Sequence, residues 1–276
     1  MSLRVHASGK IAHRAMRLLR PAAKSERERL TLGMPVTPLN SDNYLVAFPR
    51  SGITWFSFLL ANVNLLLSGQ PWRRATLFNI GDLVPDIHVS RNLGRPATRV
   101  PGFRIIKSHS PFHPGYTKVV LLVRHPLHVM ASCYAYRIGL KQFAGSIEEM
   151  VEHPDLGIDA WVRHTAGWLD GAPPEISFRL VRHEDLRARP HEHLRELYKV
   201  WGFDLDDETI AAAVERSSRD AMVADEERYN AGHPALTGFE FVRKRDDREP
   251  RLPMSEAMRL RVGEAARGVL GRLGYE

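Results

Sequence analysis

Apolar runs of five or six residues recur at 44–48, 103–107, 118–123 and 176–181, each bounded by polar or turn-forming residues. Runs of this length, rich in Val, Ile and Leu, read as strands buried on both faces. Elsewhere apolar positions fall at helical spacing, which predicts helices over 56–67, from Pro126 onward, and near 159–169, 190–201, 206–217 and 255–273. Strands alternating with helices argue for an α/β domain, an open parallel sheet with right-handed crossovers and flanking helices. Such sheets bind ligands at the carboxyl ends of their strands. The residues that end the four runs therefore carry the functional question.

The first run enters Pro49-Arg50-Ser51-Gly52-Ile53-Thr54-Trp55 and leaves as a mostly apolar helix. A strand that turns tightly into a helix aims free N–H groups and the positive end of the helix dipole at one point, a site for phosphate or sulfate. Arg50, Ser51 and Thr54 add a charge and two hydroxyls. A nucleotide-triphosphate loop needs two glycines separated by four residues and a following Lys-Ser/Thr pair. Here one glycine stands after the basic residue, and a tryptophan closes the motif.

The third run ends at Arg124, with Pro126 suited to the first turn of a helix and Ser132 about two turns into it. Arg124 and Ser132 can then face one crevice. The second run ends in Lys107-Ser108-His109-Ser110-Pro111, a polar turn that offers a histidine able to accept a proton near neutral pH.

Taken together, these motifs resemble those of sulfotransferases that use 3′-phosphoadenosine 5′-phosphosulfate (PAPS). The first is similar to that family's 5′-phosphosulfate loop, Tyr/Phe-Pro-Lys/Arg-Ser-Gly-x-Thr-Trp. The second matches its Arg-x-Pro-x-x-x-x-x-Ser segment, and the third resembles Lys-Thr-His-x-Pro. The resemblance spans about residues 42 to 260 and implies a P-loop-NTPase-like sulfotransferase fold. It implies transfer of a sulfuryl group from PAPS to a hydroxyl or amine acceptor, with 3′,5′-adenosine bisphosphate (PAP) released. Arg50, Ser51, Gly52, Ile53, Thr54 and Trp55 would hold the phosphosulfate, and Arg124 and Ser132 the 3′-phosphate. The catalytic residues would be His109 as general base, Arg50 on the leaving-group oxygen and Lys107 on the sulfonate. Sulfuryl transfer builds negative charge on the bridging oxygen and requires in-line geometry, so fixed cations suit it. Arginine in place of the family's usual lysine at position 50 acts as a fixed charge and is a poor proton donor.

Toward the C-terminal side the likeness loosens. His183-Glu184-Asp185-Leu186 is similar to Tyr-Glu-Asp-Leu, and Ser217-Ser218-Arg219-Asp220-Ala221-Met222 to Thr-Ser-Phe-x-x-Met. These put His183, Ser217 and Arg219 at the adenine, where an arginine plane can stack on a base. Phe241-Val242-Arg243-Lys244-Arg245 resembles Phe-x-Arg-Lys-Gly, which would close Arg243 and Lys244 over the 3′-phosphate. Arg245 replaces the glycine, and a solvated basic run is the rival reading there.

At 276 residues and 43% hydrophobic composition, the chain suits one large domain at 41–276 behind a basic appendage at 1–40. Residues 6–20 form a basic amphipathic pattern, read as a peripheral helix or tail in preference to a membrane-surface anchor. No apolar core of a secretory signal is present there. Cys133 is the single cysteine, which excludes an internal disulfide and suits a cytoplasmic location. The net charge of +7 is broken up by acidic residues and carries no nucleic-acid-binding motif. A small anionic nucleotide explains it better, so the expected partner is a small-molecule acceptor and not a nucleic acid. No paired Cys/His spacing suggests a metal site, and none is expected.

Segments 69–102, 136–159 and 225–238 show little periodicity and are the candidate acceptor loops. Trp72, Phe78, Leu83 and Val84 either line an apolar pocket there or anchor a long loop. Two other functions fit parts of the pattern. A phosphate-loop kinase would need a magnesium-binding Ser/Thr, which Thr54 could supply, and an aspartate at a strand end, which none of the four runs supplies. A catalytically degenerate binder of adenosine bisphosphate would keep the two donor motifs alone.

Overall fold

The computed structural model describes residues 41–88, 103–172, 176–233, 242 and 254–275. Its centre is a parallel sheet of β1 (Asp42–Ala47), β2 (Arg104–Ser108), β3 (Lys118–Val123) and β4 (Ser177–Arg182), in the order β2-β1-β3-β4. Each strand lies within a residue or two of its apolar run. The register sets Asp42 opposite Arg104, and their side chains form a buried two-pronged ion pair, 2.5 Å from Nε to Oδ1 and 2.6 Å from Nη2 to Oδ2. That pair ties the amino-terminal ends of β1 and β2 together, opposite the functional edge.

Helices follow in the order α1 (Ile53–Leu67), α2 (Ile80–Leu83), α3 (Pro126–Gly139), α4 (Ile147–Val151), α5 (Ile158–Gly171), α6 (His183–Ala188), α7 (Pro190–Val200), α8 (Asp207–Arg216), α9 (Arg219–Ala231) and α10 (Glu256–Leu273). Alternate strand residues point to opposite faces of a sheet, and the core divides accordingly. Leu45, Ala47, Val120 and Leu122 pack against α1, α7 and α8, through Phe56, Leu197, Tyr198 and Ile210. Tyr44, Val46, Val119 and Leu121 pack against α3, α4, α5 and α10, through Met130, Met150, Trp161, Trp168 and Val262. The result is the expected α/β arrangement of one sheet between two helical layers.

All three segments read as loops contain helix, and α2 lies within 69–102. In 136–159, α4 carries a reciprocal capping box, with Ser146 Oγ accepting from Glu149 N–H and Glu149 accepting from Ser146 N–H. In 225–238, the second half of α9 is helical through Ala231. Periodicity misses α9 because much of its buried face is polar. Asp225 Oδ2 accepts from the Leu77 N–H at 2.5 Å, and Glu226 Oε2 from the Val242 N–H at 2.8 Å. Leu83 and Val84 anchor their loop in the core, whereas Trp72 and Phe78 are 78% and 59% exposed. Residues 1–40, 89–102 and 234–241 of the appendage and candidate acceptor loops lie outside the described residues. Among the described residues, no helix is long and apolar enough to cross a membrane.

Candidate active site

β1 is the central strand at which the chain order reverses, with β2 on one side and β3 on the other. Ligands of open α/β sheets bind at the carboxyl side of such a switch point. The loop leaving β1 there has Arg50 at φ 68° and Gly52 at φ 93°, two left-handed residues separated by one. A left-handed arginine costs local strain, and the turn is held by its surroundings. The Ser51 N–H donates to Phe48 O at 3.3 Å, and Arg124 Nη1 donates to Arg50 O at 3.3 Å. Gly52 is the N-cap of α1 and no side chain caps that end, so the first-turn N–H groups face the loop's concavity. Ser51 is fully buried and its Oγ makes no hydrogen bond among the described residues. A buried hydroxyl without a partner is costly, and an oxyanion cradled by the loop would satisfy it.

The turn after β3 meets this loop. His125 caps α3, its Nδ1 accepting from the Leu127 N–H at 3.4 Å, with Pro126 in the first turn. Ser132, buried on α3, accepts from Arg50 Nε at 3.2 Å, and the Arg50 guanidinium lies 4.3 Å from the centre of the Tyr136 ring. The loop after β1 and the turn after β3 therefore clasp each other through Arg50. The Arg50 guanidinium is thus held in place by Ser132 and Tyr136.

His109 stands just past the carboxyl end of β2. Its Nδ1 is 2.7 Å from Ala47 O, so Nδ1 carries the proton and donates, which leaves Nε2 as the basic atom. Part of the ring stays accessible, yet the protein packed around it withholds water. That desolvation, and then the charge of Lys107, pushes its pKa down to about 3. Lys107 Nζ is 3.1 Å from Asp86 Oδ2, so the lysine expected on a sulfonate is ion-paired here.

Asp86 and His88 are the functional neighbours that sequence reading missed. Residues 85–87 pair with β2, with Lys107 N–H donating to Pro85 O and Ile87 N–H to Lys107 O, both at 2.9 Å. This puts Asp86 beside Lys107, and His88 Nε2 accepts from the His109 backbone N–H at 3.1 Å. Burial alone would raise the Asp86 carboxyl, but Lys107, His109 and His88 together hold it at about 2. No local motif signals these contacts, since they depend on strand pairing across an aperiodic segment.

Of the residues expected at the adenine, His183 and Ser217 both lie against Trp55. His183 begins α6 and packs directly against Gly52, with the Trp55 ring edge-on at 6.0 Å. Its pKa falls to about 3, first through burial and then through Arg124. Trp55 Nε1 donates to Ser217 O at 3.0 Å, and Asn62 Nδ2 to Ser217 Oγ at 2.9 Å, which ties α1 to the end of α8. Arg219, in the first turn of α9, has 42% of its side chain exposed and lies 3.9 Å from Asp220. Arg243 and Lys244 lie outside the described residues. Thus Arg50, Ser51, Gly52, Arg124, Ser132 and His183 are gathered in one place, with His109 and Lys107 on the adjoining strand end.

Gly52 is constrained twice, by its positive φ and by the imidazole of His183, into which a Cβ would project. Gly52→Ala is expected to destabilise the fold by about 2 kcal/mol or more and to weaken anion binding at the loop. Urea denaturation and phosphate-nucleotide binding check both effects.

Comparisons with known proteins identify the family and the fold. The family model described as the sulfotransferase domain matches residues 40–274. The chain belongs to the sulfotransferase family. Human sulfotransferase 4A1 is 24% identical over 210 residues, covering 71% of each chain. Bovine sulfotransferase 1E1 is 22% identical over 199 residues, covering 66% of this chain and 65% of its own. Among solved structures, mouse sulfotransferase SULT7A1 complexed with PAP has a TM-score of 0.62 at 16% identity, covering 89% of this chain and 90% of its own. Retinol dehydratase complexed with retinol and PAP has a TM-score of 0.64 at 16% identity, covering 90% and 86%. The fold is that of a sulfotransferase, and the protein is a sulfotransferase enzyme.

Proposed function

We propose that this sulfotransferase uses PAPS as its donor and carries the sulfuryl group to a hydroxyl or amine of a small-molecule acceptor. The observation that carries the reading is the clasp of Arg124, Arg50 and Ser132 over the loop that presents the buried Ser51 hydroxyl. PAP in the solved structures of similar proteins supports the donor, and retinol and androsterone in two retinol dehydratase complexes support a small acceptor. Bound PAPS supplies an activated sulfonate with a phosphate leaving group. The N–H groups of residues 51–55, with the Ser51 and Thr54 hydroxyls, hold the phosphosulfate. Arg124 and Ser132 hold the 3′-phosphate, with Arg243 and Lys244 of the basic run over that phosphate and His183, Ser217 and Arg219 toward the adenine. His109 Nε2 takes the acceptor proton. Lys107, steadied by Asp86, and Arg50 supply positive charge as the bond to the leaving oxygen lengthens.

With these cations present, no magnesium bridge is required, and the setting is proposed to be cytoplasmic. A thermal-shift panel tests the donor assignment through ligand-linked stabilisation. PAP is expected to raise the melting temperature by several degrees, ATP by much less, and magnesium to add nothing to either. Turnover is expected to persist in excess EDTA. Stabilisation by ATP only when magnesium is present would overturn the reading in favour of a kinase.

A further inference from the structure

We infer that Tyr275 and Glu184 position the 3′-phosphate turn, setting how tightly the site holds a nucleotide bearing a 3′-phosphate. The inference rests on the assignment of Arg124 and Ser132 to that phosphate. Glu184, on α6, is a half-buried carboxylate whose two oxygens have separate duties. Oε1 accepts from the backbone N–H of His125 at 3.1 Å, and Oε2 accepts from the Tyr275 hydroxyl at 2.6 Å. His125 directly follows Arg124 and caps the helix that carries Ser132. The carboxylate therefore fixes the backbone joint between the two phosphate-binding residues.

Tyr275 is itself held from three sides. Gly274, left-handed at φ 69°, ends α10, and the Tyr275 N–H donates to Leu270 O at 3.0 Å. Arg182 Nη1 donates to Gly274 O at 2.5 Å, while the Arg182 guanidinium lies 5.0 Å from the centre of the Tyr275 ring. His125 meets that ring edge-on at 5.3 Å. Asp185 holds Arg182 in place through two hydrogen bonds of 2.6 and 3.0 Å. Burial tends to raise the Glu184 pKa, but the Tyr275 hydroxyl and the His125 N–H lower it overall, so the group is an anion that accepts from both. α10 is thereby coupled to the turn at the end of β3 through this carboxylate and through the edge-on contact of His125 with the Tyr275 ring.

Hydrogen bonds to a charged group are among the stronger ones, and a loosened Arg124–Pro126 joint loses phosphate alignment before it loses the fold. The test is calorimetric titration of PAP and of 5′-AMP into the native protein and into Tyr275→Phe, Glu184→Ala and Glu184→Gln, with melting temperatures measured alongside. Tyr275→Phe is expected to weaken PAP binding about fivefold, and Glu184→Ala about tenfold or more, while 5′-AMP binding changes less than about twofold. Glu184→Gln keeps an acceptor for His125 and a donor for the tyrosine oxygen but loses the charge, and is expected to fall between native and Glu184→Ala for PAP while leaving 5′-AMP within about twofold. Equal weakening of both nucleotides, or a lowered melting temperature with PAP binding unchanged, would show a purely structural network and overturn the inference. A native protein that does not prefer PAP to 5′-AMP would instead overturn the 3′-phosphate assignment itself, before any variant is compared.

Discussion

Replacing His109 with alanine is expected to cut turnover by about 10²–10⁴-fold while leaving PAP affinity nearly unchanged. The expectation follows from where the ring is held. Nδ1 is committed to Ala47 O, which aims Nε2 away from the strand as the proton acceptor. A general base faces the acceptor oxygen, on the far side of the sulfur from the nucleotide, so its loss spares donor binding. The pH dependence is equally specific. Desolvation and Lys107 hold the free-enzyme pKa at about 3, so the imidazole is neutral throughout the physiological range. The profile of kcat/KM is therefore expected to be flat from about pH 8 down to pH 5 with respect to this group, with no limb at the ordinary histidine value near 6.5.

Linkage sets the lower end of that experiment. His109, His164 and His183 have folded pKa values of about 3, 4 and 3, against about 6.5 unfolded. Between those values the unfolded chain binds more protons, so stability falls as pH drops below 6.5. Rates near pH 5 must be read on protein shown to be folded. An acid limb at pH 6.5 on folded protein, or near-native turnover of His109→Ala, would move the base to another residue.

Arg124→Ala is expected to weaken PAP binding by about 2–4 kcal/mol, the loss of a charge-assisted, forked contact with phosphate. 5′-AMP binding should change far less, so most of the preference for the 3′-phosphate disappears. Some effect on both nucleotides is built into the structure, because Arg124 also supports Arg50 O in the left-handed loop. Arg124→Lys separates the two roles, since it keeps a charge but not the fork. It is expected to fall between native and alanine for PAP. An alanine variant that loses both nucleotides equally would assign Arg124 to the loop alone.

Much of this architecture was legible in the sequence. β1 and β3, buried on both faces, appear as near-continuous apolar runs, and β3 coincides with its run from Lys118 to Val123, whereas β4 is a partly exposed edge strand whose run is broken by Ser177 and Arg179. The strand–turn–helix geometry of the two motifs was legible because each is local, a strand end and the helix that follows it. Contacts between distant segments were not. Arg50 and Ser132 are 82 residues apart, and neither motif alone says that the arginine of one engages the serine of the other. His88 reaches His109 across 21 residues, from a segment without periodicity that pairs with β2 only in the folded protein. α9 escaped because carboxylates fill part of its buried face, so the usual hydrophobic stripe is absent. Glu184 sat inside a recognised motif, but its partner Tyr275 is 91 residues away.

The most direct measurement is calorimetric titration of the native protein with PAP and with 5′-AMP, side by side in excess EDTA. The site described here predicts that PAP binds at least about 30-fold more tightly, from one charged phosphate contact shared by Arg124 and Ser132, and that chelation leaves both affinities unchanged. Equal affinities for the two nucleotides, or PAP binding that vanishes with the metal, would contradict it.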